Sequence, residues 1–197
     1  MKKIMFDDRY GLTKAVIDGR KTMTRRIVPE KLMKEAHDYA HKLHGSGHDL
    51  LDYLLEHATY KVREIVAIAQ KYDDIMTWQR LYERTLAEDP YFPIECTGGI
   101  PGKRNKMFVK AEWMPHRIVI TNVRVERLQD ISKIDALREG INDYVGYKNR
   151  IRYTFDGDEW GYDSPVDAFA ELIKKVAGKS IWENNPWVFV YSFKLEE

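Results

Sequence analysis

Residues 11–28 read GLTKAVIDGRKTMTRRIV, and the change of pattern within them decides the fold class. GLTKAVID has the pattern of a short helix, and Gly19 suits the left-handed conformation at a helix end. TMTRRIV then alternates like a strand, with Thr22, Thr24 and Arg26 on one face and Met23, Arg25 and Ile27 on the other, until Pro29 ends it. The polar stretch GRKT therefore occupies a helix-to-strand turn. Arg20, Lys21, Arg25 and Arg26 place four cations within eight residues of a chain whose net charge is only +1.

Outward from this turn, helical and strand periods mix without strict βαβ alternation. Leu32, Ala36, Tyr39, Ala40 and Leu43 recur at helical spacing, and DLLDYLLEHA continues the pattern after the Gly-Ser-Gly break at 45–47. VREIVAIAQ is apolar on both faces, as in a central strand, and DDIMTWQRLYERTLAE returns to helix. The run PYFPIECTGGIPGKRNK, with three prolines and three glycines, predicts a loop. In HRIVITNVRVERL the apolar positions are Ile118 and Ile120, then Val123 and Val125, so the alternation slips by one residue near Thr121 and Asn122, and a bend or bulge is expected there. SKIDALREG carries a Ser132 cap, Asp135 at the third helical position and a Gly140 stop. SPVDAFAELIKKVAG begins with Ser164 and Pro165 and keeps Val166, Phe169, Ala170 and Ile173 on one stripe. NPWVFVYSFKLE sets Trp187, Phe189, Tyr191, Phe193 and Leu195 on one face of a closing strand. These elements predict an α+β fold built on a small, mostly antiparallel sheet or barrel.

Composition bounds the function classes. The 197 residues suit one domain, and 44% apolar with 12% aromatic residues supply a core. No apolar run approaches the roughly 18 residues of a membrane span, and MKKIMFDDRYG lacks the apolar segment of a secretory signal. A cytoplasmic protein with no membrane partner is expected. Cys96 stands alone, which excludes an intrachain disulfide and a cysteine-based zinc site. Charge is unevenly spread. Residues 14–34 hold seven basic against two acidic residues, and so do residues 103–127, a local excess of +5 in each. Residues 156–171 hold six carboxylates and no Lys or Arg. A basic side suited to a polyanion and an acidic side follow from that distribution, with ordinary solvated charges as the alternative.

The order of GRKTMTRR behind a short helix, then YKVREIVAIAQ, HRIVITNVRVERLQDIS, a helix ending ALREG, and a terminal NPWVFVYSFKL resembles the ASCH domain, a relative of the PUA fold, and phage and prophage members in particular. The family signature G-x-K-x-x-E-x-R falls on Gly19, Lys21, Thr24 and Arg26, with threonine where glutamate is more usual. The resemblance implies one PUA-like β-barrel domain spanning 1–197, with insertions at about 29–58, 72–105 and 142–163. It also implies a cleft, into which the G-x-K loop points, and a role tied to RNA or nucleotides.

Two functions follow from the resemblance. In a binding module, Arg20, Lys21, Arg25 and Arg26 contact phosphates, supported by Lys110 or Arg124, while Trp113 or Tyr60 stacks on an unpaired base. In an enzyme, the threonine form of the signature matches small ASCH proteins that hydrolyse the amide of N4-acetylcytidine with a lysine, a threonine and a glutamate. Those residues are Lys21, Thr24 and Glu139 here. The chemistry asks for such a trio, because a threonine hydroxyl is a poor nucleophile until a base takes its proton. Lysine serves as that base when burial and a neighbouring cation such as Arg26 lower its pKa, and a carboxylate paired with it opposes the shift. A phage protein-interaction factor acting through the acidic, Tyr-rich insertion is a third class.

Other motifs point to no cofactor. His37, His41 and His44 share one helical side with His48 close behind, a spacing able to face a metal, but no carboxylate or cysteine joins them at fixed spacing, and no metal is expected. TGGIPGKR departs from the phosphate-loop pattern at Thr97 and Arg104. Trp182 and Trp187 read as core residues, as Trp113 does where it does not stack on a base. Arg63 stands where similar segments favour glycine, in a permissive turn.

Overall fold

The computed structural model, which describes residues 1–43, 47–88 and 100–196, is α+β. Along the chain run β1 (Lys2–Ile4), α1 (Leu12–Ile17), β2 (Met23–Ile27), α2 (Glu30–Lys42), α3 (Gly47–Glu56), β3 (Ile65–Ile68), α4 (Tyr72–Ile75), α5 (Trp78–Glu88) and β4 (Arg117–Arg127). There follow α6 (Lys133–Arg138), β5 (Asn142–Val145), β6 (Ile151–Thr154), α7 (Pro165–Ala177), α8 (Lys179–Asn184) and β7 (Trp187–Leu195). The strands form a five-stranded mixed sheet in the order β1-β3-β4-β7-β2 and a separate β5–β6 pair.

That order is linear, with β1 and β2 at its ends, so the described strands make an open sheet where a closed barrel was expected. On entry to β2, the Thr22 N–H donates to the Arg138 carbonyl at 2.9 Å, which ties the start of that end strand to the end of α6.

Two units partition the internal contacts. The smaller comprises Met1–Phe6, Ile65–Ile118 and Glu196–Glu197; the larger comprises Asp7–Glu64 and Val119–Leu195. In the smaller unit β1 lies parallel to β3, with Lys2 opposite Val66 and Ile4 opposite Ile68. Ala67, Ala69, Tyr72, Leu81, Ile100, Val109, Ala111 and Met114 form its core. The single helix expected through 73–88 is broken, because Met76 adopts an extended conformation between α4 and α5.

In the larger unit β2 runs antiparallel to β7 from Met23 opposite Ser192 to Ile27 opposite Val188. β7 is buried on both faces, since Val188, Phe189, Val190 and Tyr191 are buried in succession. A strand covered on both faces reads as a continuous apolar run in this way. The Thr121–Asn122 slip in β4 appears as two successive exposed residues. Ser132 caps α6 by accepting the Asp135 N–H at 3.1 Å, and Gly140 takes φ 101° just beyond it. α7 starts on Ser164 and Pro165 as predicted. Residues 142–163, the third expected insertion, contain the β5–β6 hairpin, paired from Asn142–Thr154 to Val145–Ile151. β1 and α8 were not foreseen. Most of the predicted 90–106 loop, with Cys96, and His44 of the histidine set lie outside the described residues.

Arg63 adopts φ 70°, the left-handed region that penalises a Cβ. The turn is held by Lys61 N–H to Glu64 Oε2 at 2.8 Å, and by Arg63 N–H to the Ile120 carbonyl at 2.7 Å. Replacing Arg63→Gly is expected to stabilise the protein by about 1 kcal/mol, read as a higher urea midpoint with unchanged slope, while Arg63→Val lowers it.

Candidate functional site

The G-x-K turn is set by backbone bonds first. Gly19 takes φ 76°, and the Lys21 N–H donates to the Ala15 carbonyl at 2.9 Å, folding the chain back against the end of α1. The next residue joins the end of α6, as described above. Lys21 is thereby aimed at the C-terminus of that helix. Its ammonium donates to the Glu139 backbone carbonyl and to Glu139 Oε2, both at 2.6 Å. A cation at a helix C-terminus satisfies an orphan carbonyl and opposes the helix dipole.

Lys21 is 2% exposed and Glu139 3% exposed, so the pair has left water. Burial pushes the Lys21 ammonium below its ordinary pKa; Glu139 opposes the shift, and Arg26 and Arg25 add to it.

Glu139 is shared. Arg25 Nη1 donates to Glu139 Oε1 at 3.0 Å, while Arg25 Nη2 binds Glu126 Oε1 at 2.5 Å and lies 3.5 Å from Asp135 Oδ2. Arg124 completes the cluster by binding Glu126 Oε2 at 2.8 Å and Asp135. The Arg25 guanidinium also lies 5.8 Å from the centre of the Phe169 ring. Arg25 and Arg124 are therefore not free phosphate contacts: a cation aligned with buried Met23 on the inner side of β2 requires carboxylate partners.

Thr24 is buried on β2 opposite Tyr191. Its alternation sets it on the other face from Arg25, and among the described residues no hydrogen bond is made to its hydroxyl. Arg26 is partly buried, and its pKa is lowered by burial against the opposing influence of Tyr60, Glu139 and Tyr191. Tyr60 and Tyr191 meet edge to face at 5.1 Å, and burial raises the pKa of both hydroxyls. Arg20 stays at the surface and donates to Asn142 Oδ1 at 2.8 Å.

Lys110 and Trp113 belong to the smaller unit. There they line a cavity of about 290 Å³ with Tyr72 and Phe108, Lys110 pairs with Glu88, and its ammonium lies 5.2 Å from the Trp113 ring centre. Among the described residues no group of three or more His, Cys, Asp or Glu could hold a metal ion, and no helix is long and apolar enough to cross a membrane.

Lys21, Arg25 and Glu139 thus converge in one buried cluster, with the charge of Arg26 acting on it. Sequence reading missed Glu126 and Asp135 as partners of Arg25. The available signal was parity, since Arg25 shares the face of Met23. No family model, no curated protein and no solved structure matches this chain.

Removing one member of a buried pair leaves an uncompensated charge. Glu139→Gln is expected to cost about 3–5 kcal/mol near neutral pH in urea unfolding. The loss should shrink as pH rises, because the unfolded chain then holds the Lys21 proton more tightly than the folded one, so stability climbs until the unfolded lysine titrates. A loss independent of pH contradicts a depressed Lys21.

Proposed function

We propose that this protein is an ASCH-type, PUA-like protein that binds a nucleoside at the Lys21–Glu139 site and hydrolyses the amide of N4-acetylcytidine or a related acylated cytidine. One observation carries the reading: residues 118 positions apart, a lysine and a glutamate, meet as a dry pair at 2.6 Å. Both occupy positions that the family resemblance implies for the site. Binding of long RNA by the whole basic set is less well supported, because Arg25 and Arg124 are already engaged by carboxylates.

In the proposed reaction the Thr24 hydroxyl adds to the acetyl carbonyl carbon while its proton passes to neutral Lys21. The carbon–N4 bond then breaks as Lys21 returns the proton to N4, releasing cytidine and leaving an acetyl ester on Thr24. Water adds to the ester and yields acetate and the free hydroxyl. Glu139 holds the ammonium form between steps, and on substrate binding it turns one oxygen to the cytosine edge. Giving up part of its hold on Lys21 frees the lysine to lose its proton.

Incubation of purified protein with N4-acetylcytidine, followed by chromatography, is expected to yield cytidine and acetate. Thr24→Ala and Lys21→Met are expected to lower kcat by at least about a hundredfold, within the range typical of general-base loss. The rate should rise with pH and level off below the ordinary lysine range, as burial of Lys21 requires. No turnover at any pH from about 6 to 9, the span across which a depressed lysine titrates, would refute the hydrolase reading.

A further inference from the structure

The β5–β6 hairpin leaves the candidate site directly. Asn142, its first residue, follows Glu139 by three positions and accepts from Arg20 of the G-x-K turn at 2.8 Å. Four residue pairs then carry the ribbon outward about 13 Å, at roughly 3.3 Å per residue, close to four stacked base steps of about 3.4 Å.

The far end differs from the rest of this acidic segment. Residues 144–152 read YVGYKNRIR, with three cations and no carboxylate. Arg152 is held by Asp163 at 2.5 Å, but among the described residues no carboxylate pairs with Lys148 or Arg150. Apolar surface lies bare beside them, with Tyr147 86%, Val145 69%, Ile151 57% and Tyr144 44% exposed. The turn itself is unusual. Lys148 and Asn149 both take φ 57°, with no glycine at either position, in a three-residue loop closed by the Gly146 N–H donating to the Arg150 carbonyl at 2.7 Å. A lysine held in the left-handed region costs stability, and its ammonium stands 5.5 Å from the Tyr147 ring centre.

We propose that the hairpin is an arm that grips single-stranded RNA, its exposed rings stacking on unpaired bases and Lys148 and Arg150 contacting phosphates, so that the site beside Glu139 receives a nucleoside carried in a strand. This rests on the nucleoside reading of that site. Rings and unpaired cations side by side match a ligand that offers π-faces and negative charge at every step. A protein partner instead calls for a patch whose centre is depleted of charge.

The test is fluorescence anisotropy with a short labelled single-stranded oligoribonucleotide, at salt from about 50 to 200 mM, on the wild type and on a Tyr147→Ala/Lys148→Ala/Arg150→Ala variant. The wild type should bind, and more weakly as salt rises. The variant should lose at least tenfold in affinity, and the slope of log affinity against log salt should flatten by about 1.4, since each phosphate contact on a single strand contributes about 0.7. Lys148→Gly alone, which suits the turn, guards against misfolding and should lose affinity while gaining thermal stability. Equal affinity of wild type and variant, or no RNA binding by the wild type, would overturn the arm, including the outcome in which the same surface binds only a protein. Turnover of free N4-acetylcytidine separates the two claims: the hairpin variant should keep it, whereas Thr24→Ala should lose it and still bind RNA.

Discussion

The Glu139 carboxylate holds the larger unit's polar interior together. One oxygen receives Lys21 from the G-x-K turn and the other receives Arg25 from β2, while the backbone carbonyl of the same residue accepts Lys21 again. A single side chain at the end of α6 thus fixes both a turn and an edge strand. Two cations and one anion in a dry environment are stable only with further compensation. Glu126 and Asp135 supply it through Arg25, and Arg124 bridges those two carboxylates from β4.

This arrangement changes the meaning of the basic cluster at residues 14–34. A local excess of +5 suggested a surface for polyanions, yet Lys21 and Arg25 are interior groups paired with acids more than a hundred residues away. Charge counted along a chain measures exposed field only where the residues are exposed. What remains near the turn is Arg26, partly withdrawn from water beside two tyrosines, and Arg20 at the surface.

Local signals were legible wherever one residue type has a single stereochemical use. Gly19, Gly140, Ser132, Ser164 and Pro165 marked element ends correctly, and the alternation through Met23–Ile27 assigned faces that the structure keeps. Arg63 occupies a left-handed turn, in line with its reading as a residue standing where glycine is favoured. Non-local facts were not legible. The partners of Arg25 lie 101 and 114 positions away, the parallel pairing of β1 with β3 comes from a three-residue strand, and the hairpin at 142–154 turns through Lys148 and Asn149 in the left-handed region with no glycine at either position to announce it. Of the proposed trio, Lys21 and Glu139 meet because the chain closes a loop that no periodicity could reveal.

The central claim is that burial outweighs Glu139 in setting the proton affinity of Lys21. An NMR titration of isotope-labelled lysine side chains, with Lys21 assigned by its absence in Lys21→Met, measures that directly. A Lys21 resonance that titrates below the ordinary lysine value of about 10.4 supports the account. Titration at or above that value means that the ion pair governs the site, and that Lys21 clamps the end of α6 without ever becoming a base.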